Sequence, residues 1–168
     1  VQAGKDSLIA VRVDSTERKD IPPFGFTLDY LTFGGIYRDV FLRTCSRSYI
    51  KDVILRGSDV LTRPVLETDV EVEEPDPGQS LTLTLKDHSG MSVAEQSWRA
   101  RDKYIQFRLD NLTGIRLWSL DDAYLYSVEV RLSAPDGALL DSHQCRFGLR
   151  EARFCDDGAF RLNGQVVK

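Results

Sequence analysis

The sequence predicts an all-β fold, an immunoglobulin-like antiparallel β-sandwich, and three observations carry that reading. Apolar and polar residues alternate with a period of two in run after run, helical periodicity is nearly absent, and the breaks between runs hold turn residues. About seven such runs fall between residues 45 and 150, with none of the strand–helix alternation that marks a doubly wound sheet.

The first run in the chain is Leu8–Asp14, with Leu8, Ala10 and Arg12 on one face and Ile9, Val11 and Val13 on the other. A charged stretch, 15–20, follows, and then Ile21-Pro22-Pro23-Phe24, where proline removes donors and restricts its predecessor. Residues 28–42 form the next apolar segment. Two strands joined by so long a loop do not make a stable unit alone, so residues 1–43 read as the end of another domain.

The sandwich strands are predicted at Tyr49–Arg56, Val65–Glu73, Leu81–Lys86, Ser92–Arg99, Lys103–Leu109, Tyr124–Leu132 and Leu139–Phe147. The third is the plainest: Leu81, Leu83 and Leu85 alternate with Thr82, Thr84 and Lys86, as a half-buried strand requires. Pro75-Asp76-Pro77-Gly78, Lys86-Asp87-His88-Ser89-Gly90 and Pro135-Asp136-Gly137 supply the turns, with Pro presetting φ and Gly accepting a positive one.

Composition bounds the function. The chain has 168 residues, room for one domain or one and part of a second, whereas a (β/α)8 barrel needs about 250. It carries 22 Lys and Arg against 26 Asp and Glu, a net charge of −4, which argues against nucleic acid as a partner. No apolar run approaches the roughly 18 residues of a membrane span, so no membrane partner is expected. No charged n-region precedes an apolar h-region, and the three cysteines Cys45, Cys145 and Cys155 are odd in number and widely spaced. Both features read as reduced thiols in a cytoplasmic protein.

A self-contained active site is not legible. His88 and His143 lack metal-ligand spacing and read as solvated surface residues, and there is no nucleophile elbow, phosphate loop or C-x-x-C. Asn111-Leu112-Thr113 matches a glycosylation acceptor, but without a secretory signal it reads as chance. The acidic pairs Glu73-Glu74, Asp121-Asp122 and Asp156-Asp157 sit on strands or in turns. Neighbours on a strand face opposite ways, and Asp121-Asp122 reads as a turn cap bonding backbone donors. One segment is over-specified for a loop: Phe33-Gly34-Gly35-Ile36-Tyr37-Arg38-Asp39-Val40 joins paired glycines, which permit close approach or positive φ, to an Arg-Asp pair and aromatics.

That segment resembles the G-G-I-[YWF]-R-[DN]-V motif of glycoside hydrolase family 2, the β-galactosidase family. Leu8–Asp14 resembles the family's preceding "LAVRVDN" strand, Leu117–Tyr126 its "LWSPDDPNLY" stretch, Phe147–Arg150 its "FGFR", and Phe160–Val167 its "FFLNGKPV" hairpin. These motifs stand in order along essentially the whole chain. The resemblance implies that residues 1–43 are the carboxyl-terminal remnant of a sugar-binding jelly roll, contributing extra strands at the amino terminus. Residues 44–148 would be the immunoglobulin-like sandwich, and 149–168 the lead-in to a catalytic (β/α)8 barrel.

By the same resemblance the parent is a retaining glycosidase, most like a β-galactosidase, with β-glucuronidase or β-mannosidase as alternative parents. Its partners are its own remaining domains and a β-galactoside or related carbohydrate. The family's acid/base glutamate follows an Asn, but the only asparagines here, Asn111 and Asn163, are followed by Leu and Gly, so no catalytic residue is expected in this chain. One site residue carries over by position: Asp29, eleven residues before Val40, matches an aspartate that reaches galactose hydroxyls and an alkali-metal ion. Asp29 is thus the expected substrate-binding and metal residue, a carboxylate being a hard oxygen ligand. Leu31 departs from the Trp found in related enzymes. No cofactor is expected in the chain itself, and an alkali metal or magnesium ion in the parent. Trp118 reads as a core anchor, and Arg38 and Asp39 as a structural pair. A strand-exchanged oligomer is expected if the strands of 1–43 seek new edges. The rival readings are a free-standing sandwich that binds carbohydrate or protein, which would place an aromatic platform on an exposed sheet face, and a small hydrolase, which no constellation supports.

Overall fold

The structure is a computed structural model that describes residues 4–16, 18–20 and 34–167. The chain divides into two compact units, Val1–Arg43 and Thr44–Lys168.

In the first unit the described residues form no strand, which corrects the strand expected at Leu8–Asp14. Leu8 is 97% exposed and Val11 63%, so neither face of the alternating run is covered. Alternation marks which faces could be buried, but a ladder needs a neighbouring strand, and none of the described residues of this unit provides one. The paired glycines do what their lack of a side chain allows. A Cβ at Gly34 would stand 2.5 Å from that of Ser15, and Gly35 takes φ 107°. Arg38 and Asp39 are not an ion pair; the Arg38 guanidinium lies 5.7 Å from the Tyr37 ring centroid.

The second unit holds seven sandwich strands, as the alternation predicts: β1 (Tyr49–Ser58), β2 (Val65–Glu73), β3 (Ser80–Lys86), β4 (Ser92–Arg99), β5 (Tyr104–Leu109), β6 (Tyr126–Ser133) and β7 (Leu139–Phe147). They form two antiparallel sheets ordered β1-β2-β5 and β4-β3-β6-β7. A third small sheet, β10-β9-β8, is built from β8 (Ala152–Phe154), β9 (Phe160–Leu162) and β10 (Gln165–Val166). The described residues contain no helix, and so none long and apolar enough to cross a membrane.

The core lies between the two larger sheets. Ile50, Leu66, Val70 and Val72 from one meet Leu81, Leu83, Leu85, Val128, Val130 and Leu132 from the other, all at 0–1% exposure. Burying each such side chain contributes about 1.5–3 kcal/mol, which is why strict alternation over seven strands specifies the register. Trp98 packs edge-on against Phe107 at 4.4 Å between centroids. Thr68 is fully buried on β2, opposite Leu55 and Phe107, and its hydroxyl has no hydrogen-bond partner.

The three turns form where predicted, two of them on a glycine of positive φ, whereas Gly78 stays outside that region. Asp76 Oδ1 accepts the Gly78 N–H at 2.9 Å, Asp87 Oδ1 accepts those of Ser89 and Met91 at 2.9 and 3.0 Å, and Gly90 and Gly137 take φ 87° and 85°. The first and last predicted turns also meet, since a Cβ at Gly78 would come within 2.8 Å of Pro135 Cγ.

His143 is a correction. It stands opposite the buried Val130, on the inward face of β7, and is half-buried rather than solvated. Cys145, opposite Val128, shares that face, and burial pushes its thiol up from the ordinary value. Asp141 is the third residue of the row, and its Oδ2 accepts the Ile50 N–H at 2.9 Å, tying edge strand β7 to edge strand β1.

Candidate functional site

Asp29, the residue expected to bind substrate and metal, lies outside the described residues. Among the described residues no group of three His, Cys, Asp or Glu side chains could hold a metal ion.

Each acidic pair has at least one member engaged structurally. Glu73 faces Lys103 at 3.4 Å and Glu74 pairs with Arg47. Asp157 binds the Arg161 guanidinium through both oxygens, at 3.0 and 2.6 Å, and accepts the Ala159 N–H. That hydrogen bonding to Arg161 holds the Asp157 carboxyl below its ordinary value. The Asp122 carboxylate does not cap the turn. It takes Arg116 Nε at 2.5 Å, while the Ser119 hydroxyl accepts the Asp122 N–H at 3.0 Å and the Asp122 carbonyl accepts the Ser119 N–H at 2.8 Å. Asn111 takes φ 57° and its Oδ1 accepts Arg63 Nη2 at 2.5 Å.

Three places gather chemistry. The first is a cleft of about 860 Å³ at the end of the four-stranded sheet, lined by the β3–β4 turn and the β5–β6 crossover. Arg116 organises it, with its guanidinium 4.9 Å from the Tyr124 ring centroid and its backbone N–H donated to the Tyr126 hydroxyl at 2.8 Å. Tyr124 packs edge-on against Tyr126 at 5.0 Å and against His88 at 5.5 Å, and its hydroxyl lies 3.2 Å from His88 Nδ1. Burial pushes the Tyr126 phenol up, so it remains a neutral acceptor for the Arg116 amide.

The second is the junction of the sandwich with the small sheet. Trp118 N–H donates to the Leu149 carbonyl at 2.9 Å, and the Trp118 carbonyl accepts Asn163 Nδ2 at 2.9 Å. Asn163 Oδ1 accepts the Glu151 N–H at 3.0 Å, and the Asn163 N–H donates to the Glu151 carbonyl at 2.8 Å. Asn163 and Gly164 take φ 50° and 78°, the two-residue hairpin turn that an Asn-Gly pair favours. Arg150 stands 4.6 Å over the Trp118 ring, and a Cβ at Gly148 would lie 2.9 Å from Trp118 Cβ. Trp118 is therefore an anchor of this junction rather than a sugar platform. The expected lead-in segment folds as part of the second unit, through one asparagine whose side chain reaches both neighbours. The Leu162-Asn163-Gly164 triplet was the sequence signal for it.

The third is a basin of about 340 Å³ on the outer face of β1-β2-β5, walled by Ile54 and Tyr104. Sequence reasoning missed it. The signal was present, since Ile54 and Tyr104 fall on the parity otherwise occupied by acids, bases and amides. On the outer face of the four-stranded sheet the paired positions include Thr82 with Ser97, Thr84 with Glu95, Ser127 with Arg146, Glu129 with Gln144 and Arg131 with Ser142, with no ring among them.

Comparison with known proteins matches this architecture. Residues 48–150 match the family model described as glycosyl hydrolases family 2. The chain is 38% identical to a β-galactosidase of Thermoanaerobacter pseudethanolicus over 97% of its own length and 22% of that protein's. It is 34% identical to a β-galactosidase of Rhizobium meliloti with the same coverage. A putative β-glucuronidase of Formosa agariphila is 27% identical over 99% of this chain and 20% of its own. Among solved structures, the Bifidobacterium dentium β-glucuronidase superposes with a TM-score of 0.63 at 20% identity, covering 72% of this chain and 21% of that one. The chain thus spans about a fifth of the length of the relatives it matches. The family model over residues 48–150 and the likeness to these β-galactosidases, on a two-sheet sandwich of the expected class, establish that the chain belongs to glycosyl hydrolases family 2.

Proposed function

We propose that this chain is a non-catalytic, architectural part of a retaining family 2 glycosidase that hydrolyses β-galactosides. The observation that carries the reading is the identity of 38% and 34% to two β-galactosidases over 97% of the chain. Retaining hydrolysis needs two carboxyls about 5 Å apart, one of them with a raised pKa. Among the described residues, Glu73, Glu74, Asp122 and Asp157 of the acidic pairs are each bound to a cation. The catalytic pair would then come from the remaining domains of the enzyme, which the sandwich spaces and buttresses. β-Glucuronidase is the alternative parent, favoured by the Formosa relative.

Asp29 is assigned to the galactoside and to an alkali-metal or magnesium ion in the whole enzyme. A carboxylate fits that pair of roles, accepting hydroxyl protons and acting as a hard ligand, and the other ligands would lie outside the described residues. The enzyme is placed in the cytoplasm, and a strand-exchanged oligomer of the 168-residue chain belongs to the same reading. The 168-residue chain is expected to give no turnover of a chromogenic β-galactoside after rigorous purification. Asp29→Ala in the full-length enzyme is expected to lower kcat/KM by roughly 10- to 100-fold, the loss of a charged hydrogen bond, and to weaken the dependence on cation. Turnover by the chain alone, or unchanged kcat/KM and cation dependence, would overturn the respective assignments.

A further inference from the structure

The outer face of β1-β2-β5 is a grid of cross-strand rows. Asp52, Glu71 and Tyr104 form one row, Ile54, Asp69 and Gln106 the next, and Arg56, Glu67 and Arg108 a third. Its carboxylates are neutralised in place. Glu71 takes Lys51 at 2.8 Å and Lys103 at 3.3 Å, Asp69 takes Arg56 and, at 3.1 Å, the Gln106 amide, and Glu67 takes Arg108 at 2.7 Å. A solvated face of this kind has no use for large apolar groups, yet Ile54 is 49% and Tyr104 69% exposed on it. Between them opens the hollow of about 340 Å³, flanked by Asp52, Glu71 and Gln106.

Three hydrogen-bonding atoms at this hollow are uncommitted among the described residues. Asp52 uses Oδ1 for the Val53 N–H at 2.9 Å and leaves Oδ2, Gln106 donates from Nε2 and leaves its amide oxygen, and the Tyr104 hydroxyl makes no hydrogen bond, while Lys103 Nζ stands 5.9 Å from the Tyr104 ring centroid and leaves the rest of the exposed ring open. An aromatic wall, an aliphatic wall and a rim of carboxylate, amide and phenol oxygens is the combination a pyranose ring requires. Its C–H face lies on the ring, and its hydroxyls donate to the oxygens. With Glu73, which faces both Lys51 and Lys103, the face carries five carboxylates (Asp52, Glu67, Asp69, Glu71 and Glu73) against four cations, a surplus of one negative charge that favours an uncharged sugar over a uronic acid.

We propose that this basin is a binding surface for a neutral pyranoside, for which a galactoside serves as the probe. It goes beyond the architectural role and does not depend on it, because site and ligand are both read on this chain. A single exposed ring and two or three hydrogen bonds support affinity on the order of millimolar.

The test is a titration of the ¹⁵N-labelled 168-residue chain with methyl β-galactopyranoside and, separately, methyl β-glucuronide, followed by amide shifts. The galactoside is expected to move the amides of Ile54, Tyr104 and Gln106 saturably, and the glucuronide to bind at least several-fold more weakly. Tyr104→Ala, at an exposed position whose loss leaves the core intact, should weaken binding roughly tenfold, and Asp52→Asn should narrow the gap between the two sugars. Shifts confined to the Tyr124 cleft, equal affinity in the Tyr104→Ala chain, shifts that follow protein concentration without sugar, or no localised shift at all would each overturn the proposal.

Discussion

Replacing Gly148 by Ala tests the junction that joins the sandwich to its last small sheet. The new Cβ would sit 2.9 Å from Trp118 Cβ and 3.0 Å from Cγ and Cδ1, against an ordinary carbon contact of about 3.5–4.0 Å, so something must move by about 0.5–1 Å. Trp118 cannot yield freely. Its N–H is held by the Leu149 carbonyl at 2.9 Å, its carbonyl by Asn163 Nδ2 at 2.9 Å, and its ring lies under Arg150 at 4.6 Å. The backbone at 148 lies outside the left-handed region that favours glycine, so alanine adds no strain of its own and the contact is isolated. Overpacking at such a site costs about 1–3 kcal/mol, less than at a fully enclosed one because Trp118 is only half-buried. For a unit the size of Thr44–Lys168, about 2 kcal/mol lowers Tm by about 8 °C. Circular dichroism melts give the Tm, and tryptophan emission reports whether Trp118 has shifted toward water. A Tm within about 2 °C of the parent chain, with unchanged emission, would mean that Trp118 gives way without loss, and the interlocked junction would be refuted.

Two further outcomes are expected. Thr68→Val replaces a fully buried hydroxyl that has no partner by a methyl of the same shape, and should raise stability by about 1 kcal/mol in urea unfolding at unchanged m; a loss of stability would show that the hydroxyl is satisfied. On acidification the grid on β1-β2-β5 should lose its contribution. Hydrogen bonding to Arg56 holds Asp69, and hydrogen bonding to Lys51 holds Glu71, below their ordinary values, so their contribution is present above the unfolded carboxylate range of about pH 4 and is lost as pH falls through the lowered values. Melts at falling pH should show Tm declining below about pH 4, and less steeply in 1 M salt, which screens exposed pairs; a profile flat to about pH 2 would sink the argument.

The seven sandwich strands were legible because each buries one face. Val65–Glu73, Ser92–Arg99 and Leu139–Phe147 match the predicted bounds, since alternation there ends at turn residues that cannot continue a ladder. Leu8–Asp14 alternates equally well and forms no strand, because pairing is a property of two segments and periodicity a property of one. His143 was misread for a local reason. A polar residue was assigned to solvent by type, although its parity with Cys145 and Phe147 on β7 already put it on the inward side. Ile54 and Tyr104 are the converse case, large apolar groups out of phase with their strands, standing among charges on the solvent face. Asp122 kept its place in the crossover but exchanged its partner, since Arg116 lay six residues away and a guanidinium outcompetes turn amides for a carboxylate.

The direction in which acidity is perturbed bears on what the carboxylates are for. Asp14, Asp20, Asp69, Glu71, Asp87 and Asp157 are all pushed below their ordinary values, by hydrogen bonds from hydroxyls, guanidinium or ammonium groups close by. A general acid at neutral pH needs the opposite, a carboxyl raised by burial or by a neighbouring carboxylate. These six acids serve as permanent counter-ions, bonding turn hydroxyls and amides at Asp14 and Asp87 and tying cations at Asp20, Asp69, Glu71 and Asp157. Rigid spacing and a surface sugar site are compatible with acids of that kind, whereas proton transfer to a glycosidic oxygen is not. None of these six acids is poised to protonate a glycosidic oxygen at neutral pH, which agrees with the architectural role proposed for the chain, and the Trp118–Asn163 junction adds stiffness between the sandwich and its last small sheet.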